Sequence, residues 1–101
     1  METNIMIGKL HNFSKNKILA VCDSNLVNTK IILKNFEIMI SSSFFGEKII
    51  SEKEVLDFFK DCDSVNCFGK KSCGFFINNN LINKDQVIFL NKVPHVQIYK
   101  I

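Results

Sequence analysis

Ser51-Glu52-Lys53-Glu54-Val55-Leu56-Asp57-Phe58-Phe59-Lys60-Asp61 reads as one amphipathic helix. Ser51 followed by Glu54 is a capping box, in which two side chains satisfy backbone N–H groups at a helix start. Glu52 and Glu54 in the first turn and Lys60 in the last suit the helix dipole. Val55, Leu56 and Phe59 form a buried stripe, flanked by Phe58 and Cys62. A helix of this kind among short apolar runs with strand character implies an α+β domain.

The runs on either side support that class. Asn4–Leu10 is nearly all apolar, as a buried strand would be, and Lys17–Cys22 is a second apolar run. The polar stretch His11–Asn16 between them suggests an antiparallel hairpin and leaves His11 in an exposed turn. Asp23 or Ser24 can cap a helix running to about Ile32. Phe36–Ser41 alternates, as a strand does. Ser42–Gly46 is expected to be a loop. Downstream, Ser64–Phe68 reads as a short strand ending at Gly69, and Lys70–Asn78 as a helix ended by Asn79-Asn80. Asp85–Leu90 and Val96–Ile101 read as strands joined by the loop Asn91–His95. The expectation is one domain over residues 1–101, with a mixed or antiparallel sheet of about five strands and about three helices.

Composition narrows function less than fold. The chain has 101 residues, 47% hydrophobic and 23% charged, which excludes disorder. All 13 basic residues are Lys, against 10 Asp and Glu. Without Arg, anions must be bound by Lys point charges, backbone N–H groups or helix N-termini. The 14 Ile, 12 Asn and 10 Phe fit AT-rich codons, so part of the skew reflects the genome. No segment reaches the roughly 18 apolar residues of a membrane span. Met1-Glu2-Thr3-Asn4 lacks the basic start of a signal peptide, so a cytoplasmic protein with reduced thiols is expected.

Several clusters invite chemistry. Cys62-x4-Cys67-x5-Cys73 is looser than the tight pairs of structural zinc sites, so burial as small apolar side chains is favoured and neither metal nor cofactor is expected. Gly69-Lys70-Lys71-Ser72 fails the phosphate-loop pattern, because Ser64 stands where a Gly is needed and Lys71 where a hydroxyl is needed. A weaker anion site survives there: free N–H groups at a helix start beside Lys70 and Lys71. The carboxylates around the Ser51–Asp61 helix read as a solvated face. In Val93-Pro94-His95-Val96-Gln97, period-two geometry puts His95 and Gln97 on one face. They either form a recognition surface or satisfy backbone groups at a sheet edge.

These residues carry a resemblance. Val21-Cys22-Asp23 with Leu26, Phe44-Phe45-Gly46, Ser51-Glu52-x-Glu54, Asn66-x-x-Gly69 and Val93-Pro94-His95-x-Gln97 resemble an archaeal family of uncharacterised proteins, domain of unknown function 424. The likeness runs nearly end to end. The family pattern tends to have Gly where this chain has Lys92, and Gly near the third helix's end where it has Asn80. The resemblance implies a small archaeal α+β protein and carries no established activity. It marks Asn66, Gly69, His95 and Gln97 as shared-surface positions.

Two functions from different classes follow. One is a binding module for RNA or a translation-associated complex: Lys70 and Lys71 at the Gly69 helix start neutralise phosphates, His95 and Gln97 meet a base or 2′-OH, and Phe44 and Phe45 offer stacking if exposed, with Asn66 a further nucleic-acid-binding candidate on the shared surface. The other is a protein-interaction module docking through Phe44 and Phe45. An enzyme using His95 as general base would need a concave pocket around it.

Overall fold

A computed structural model describes residues 5–100. The amino end of the first expected strand, Asn4, and the last residue of the final one, Ile101, lie outside them. Strand β1 (Met6–Phe13) and β2 (Asn16–Asp23) form an antiparallel hairpin, registered from Met6 opposite Asp23 to Phe13 opposite Asn16. The connection is only Ser14-Lys15, with Ser14 at φ 55°. His11 therefore lies in β1, opposite Ile18, and not in a turn.

The chain then crosses the sheet. The helix expected to reach Ile32 is instead a 3-10 turn at Ser24–Leu26 followed by β3 (Thr29–Ile32). Asn28 at φ 64° ends any helix there. Strand β3 pairs only with β4 (Glu37–Ile40), giving a separate two-stranded sheet. The expected loop after it contains a helical turn, α1 (Ser42–Phe45), because Ser41 Oγ accepts from Ser43 N and Gly46 (φ 81°) stops it. Helix α2 (Glu52–Asp61) begins with the capping box as read: Ser51 Oγ accepts from Glu54 N, and Glu54 Oε1 accepts from Ser51 N.

The second half completes the main sheet. Strand β5 (Ser64–Phe68) runs parallel to β2, and β7 (Val93–Tyr99) antiparallel to β5. Between them come α3 (Lys70–Asn78), a 3-10 turn at Lys84–Gln86 and β6 (Ile88–Leu90). Side-chain capping between Asn83 and Gln86 shortens the expected strand from Asp85. The β6–β7 turn is Asn91-Lys92, both at positive φ, so Pro94 and His95 lie within β7. The sheet order is β1-β2-β5-β7-β6, with the β3–β4 sheet apart, which places the chain in the mixed α+β class.

Two cores flank the main sheet. On one face Met6, Leu19, Val21, Val65, Cys67 and Val96 pack with Val55 of α2 and Cys73, Phe75 and Phe76 of α3. On the other, Ile7, Ala20, Cys22 and Phe68 pack with Ile31 and Ile40 of the small sheet and Phe45 of α1. That second cover spans only part of its face. Among the described residues no helix is long and apolar enough to cross a membrane.

Candidate nucleic-acid interface

Side chains of residues directly paired across a ladder share a face. Three rows of the incompletely covered face can be followed across four strands. The innermost is Ile7, Cys22, Phe68 and His95; the next is Lys9, Ala20, Asn66 and Gln97; the outermost is His11, Ile18, Ser64 and Tyr99. The innermost row is buried and the two outer rows are more open. Ile7, Cys22 and Phe68 are core, Asn66 is half-buried, and Gln97 and Tyr99 are exposed, Tyr99 at 70%. None of these positions is Asp or Glu. Asp61 and Asp63, near the start of β5, are engaged by Lys17: its Nζ lies 2.9 Å from Asp61, and its N–H donates to Asp63 Oδ2 at 2.8 Å.

His95 belongs to the buried row. It is 8% exposed, its ring stacks on Phe68 at 4.0 Å, and its Nδ1–H donates to the Cys67 carbonyl at 2.9 Å. A carbonyl only accepts, so Nδ1 carries the proton. Burial holds this imidazole below the usual 6.5, partly offset by that hydrogen bond. Three cavities of about 500 Å³ are found beside α3 and β1, and His95 lines none of them. These cavities give the general-base reading no support. Gln97 remains available at the surface, where its Nε2 donates to Tyr99 Oη at 2.8 Å. Beside it, Asn66 Oδ1 is buried with no hydrogen-bond partner.

The lysine pair lies elsewhere. Gly69, Lys70 and Lys71 open α3, which packs on the opposite face of the sheet. The anion expected at this helix start is supplied by the chain itself. Asp23 Oδ1 accepts from Ser72 N (2.8 Å) and Ser72 Oγ (2.7 Å), and Oδ2 accepts from Lys71 N (3.1 Å). A carboxylate here satisfies orphan N–H groups and meets the positive end of the helix dipole. Gly69 makes room for it: a Cβ at that position would fall 2.3 Å from Asp23 Cγ, and φ is 114°. So Asn66, His95 and Gln97 come together on one face, while Lys70 and Lys71 stand on the other with their helix start already filled.

The aromatic pair is also divided. Phe45 is 3% exposed and meets Phe68 edge-on at 5.8 Å, so it is core and offers no stacking face. Phe44 is half-buried and stacks on His11 at 4.8 Å, and His11 stacks in turn on Phe13 at 5.2 Å. The spacing of single residues does not single out Lys9, Phe13, Ser64 or Tyr99. Their signal is the alternation Lys9–His11–Phe13 and His95–Gln97–Tyr99, which places polar and aromatic groups on one face.

The cysteines are buried thiols. Cys67 and Cys73 approach to 3.7 Å, and Cys62 donates to the Phe59 carbonyl. Burial, then the neighbouring Asp23 charge, pushes the Cys22 thiol up to about 12. Among the described residues no three His, Cys, Asp or Glu side chains gather as metal ligands.

A family model described as "Protein of unknown function (DUF424)" matches residues 11–101. The chain belongs to this family. No curated protein matches it. A solved structure described as that of an uncharacterized conserved protein from Methanopyrus kandleri has the same fold, at TM-score 0.82 and 23% identity over 93% of this chain and 90% of that one. In this DUF424 chain two of the motifs meet physically: Asp23 of Val21-Cys22-Asp23 occupies the space left by Gly69 of Asn66-x-x-Gly69.

Proposed function

We propose that this chain is a small RNA-binding module whose interface is the open part of the main sheet. The observation that carries this reading is the pair of outer rows, which combine amides, a hydroxyl and aromatic rings and hold no carboxylate. Amides and hydroxyls at such positions hydrogen-bond base edges and 2′-hydroxyls, and rings stack on bases. Lys9 in the middle row and Lys15 in the β1–β2 turn supply the charge for phosphates. Lys70 and Lys71 are not part of this surface, and His95 lies beside it in the buried row.

The test is titration of fluorescently labelled RNA with the protein at rising salt. Binding is expected at low salt and should weaken with a log–log slope of about −0.7 per phosphate contacted if the RNA is single-stranded. No detectable binding at low salt would sink the proposal.

A protein-interaction module is a second reading, and it rests on other residues than Phe44 and Phe45. The outer side of the small sheet leaves Ile32 and Met39 largely exposed, and Phe36, just before β4, is exposed as well. Self-association that Ile32→Ser abolishes would favour it.

A further inference from the structure

Resting on that RNA reading, we infer that the ligand is single-stranded RNA, held by two aromatic stations at opposite ends of the open face. The first station is a stack of three rings. Phe13 lies nearly parallel to His11 (6°), and His11 to Phe44 (13°). His11 Nε2–H donates to the Phe44 carbonyl, which fixes the middle ring. Phe13 ends the stack and is 53% exposed, so a base can extend it without ordering any side chain first. The second station is Tyr99, the most exposed of the large hydrophobic side chains described, with its hydroxyl tied to Gln97.

The separation of the stations selects the ligand. His11 and Tyr99 end the same row, three strand spacings apart, or about 14 Å at roughly 4.8 Å per spacing, and Phe13 lies one row farther out, so the stations are separated by at least that. Stacked bases rise by only about 3.4 Å, so the stations receive bases that are not stacked on each other. A duplex keeps its bases inside and presents none of these faces; a single strand can splay them. Between the stations lie Ser64, Asn66 and Gln97, at the right place for base edges and 2′-hydroxyls. Asn66 Oδ1 is an acceptor still without a donor. An N–H or O–H of the strand would supply that missing donor. Lys15 follows Phe13 in the turn and Lys9 lies in the middle row, and with no Asp or Glu in the rows the surface complements a phosphate chain.

The experiment is fluorescence anisotropy with the full chain. The probes are a mixed-sequence single-stranded RNA, the same sequence as duplex RNA, and its single-stranded DNA counterpart. The variants are Phe13→Ala, Tyr99→Ala and Tyr99→Phe. Phe13 and Tyr99 are surface residues, and far-UV circular dichroism checks that each variant folds. Single-stranded RNA should bind best. Each Ala variant should weaken it roughly five- to hundredfold, as loss of one stacked base does. Tyr99→Phe keeps the ring and should stay within about threefold of the unmodified chain. Duplex bound as tightly as single strand, or Ala variants that bind normally, would overturn this inference and leave RNA binding standing. DNA bound as tightly as RNA would overturn the choice of RNA. Absence of binding to every RNA form would remove both this inference and the reading beneath it.

Discussion

At the scale of single residues, His95 shows how a motif residue can belong to the core and not to the proposed surface. Its ring lies against Phe68, and its Nδ1–H serves the Cys67 carbonyl. Its folded-state value lies below the usual 6.5. Between the two values the unfolded chain binds more protons, so stability is full above about pH 6.5 and falls as pH drops through that window. Glu54, held below the usual 4.5 by the backbone and side-chain donors of Ser51, acts only lower down. Urea midpoints compared at pH 7.5 and 5.5 should therefore fall on acidification, and His95→Asn should flatten the drop. Equal slopes for the two proteins would contradict this. Lys92 is a second case. It sits at φ 71°, where the family tends to have Gly, and Asn80 at φ 59° replaces another. Asn tolerates the left-handed region, whereas Lys is strained there by about 1 kcal/mol. Lys92→Gly should raise stability by about 0.5–1 kcal/mol in urea unfolding. The sequence marked both departures, but only backbone geometry shows which of them carries strain.

At the scale of elements, α2 was legible because its signals are local: Ser51, Glu54 and an apolar stripe within eleven residues. The start of α3 was not, because its cap comes from Asp23, 48 residues before Lys71. Gly69-Lys70-Lys71 therefore read as a vacant anion site. The same geometry makes a sharp prediction. Gly69→Ala forces a Cβ into Asp23 at a positive φ and should cost about 2 kcal/mol or more, seen as a lower urea midpoint. Asp23→Ala, which strips the cap, should cost about 1–3 kcal/mol. If the Gly69→Ala penalty shrinks in the Asp23→Ala background, the clash with Asp23 accounts for the part removed; an unchanged penalty would place the strain in the backbone alone. The β3 strand was not legible because Asp23 and Ser24 look like a helix cap and Leu26, Val27 and Ile31 after them are compatible with helical spacing. Ile31 reaches the core from a strand only because the main sheet offers it a face there.

At the scale of the whole molecule, the α+β class was legible from composition and from the alternation of helical and strand-like runs. Strand order was not, since nothing local says that β5 inserts between β2 and β7. That insertion also splits the candidate site. It puts Asn66 and Gln97 side by side and sends the lysines of α3 to the other face. Half of the proposed surface was accordingly visible as Asn66 and Gln97. The other half, Phe13, His11 and Tyr99, became a surface only once the ladders aligned them. The parallel pairing of β2 with β5 has one more consequence, in the order of folding. The β1–β2 and β6–β7 hairpins close over two-residue turns, whereas joining β2 to β5 closes a loop of about forty residues, at an entropic cost of roughly 3 kcal/mol. The hairpins are the early, local structures, and the β2–β5 seam waits for the long-range contacts that repay its closure. Because the open rows run across that seam, neither half of the chain contains them, and the surface arises with the last cooperative step.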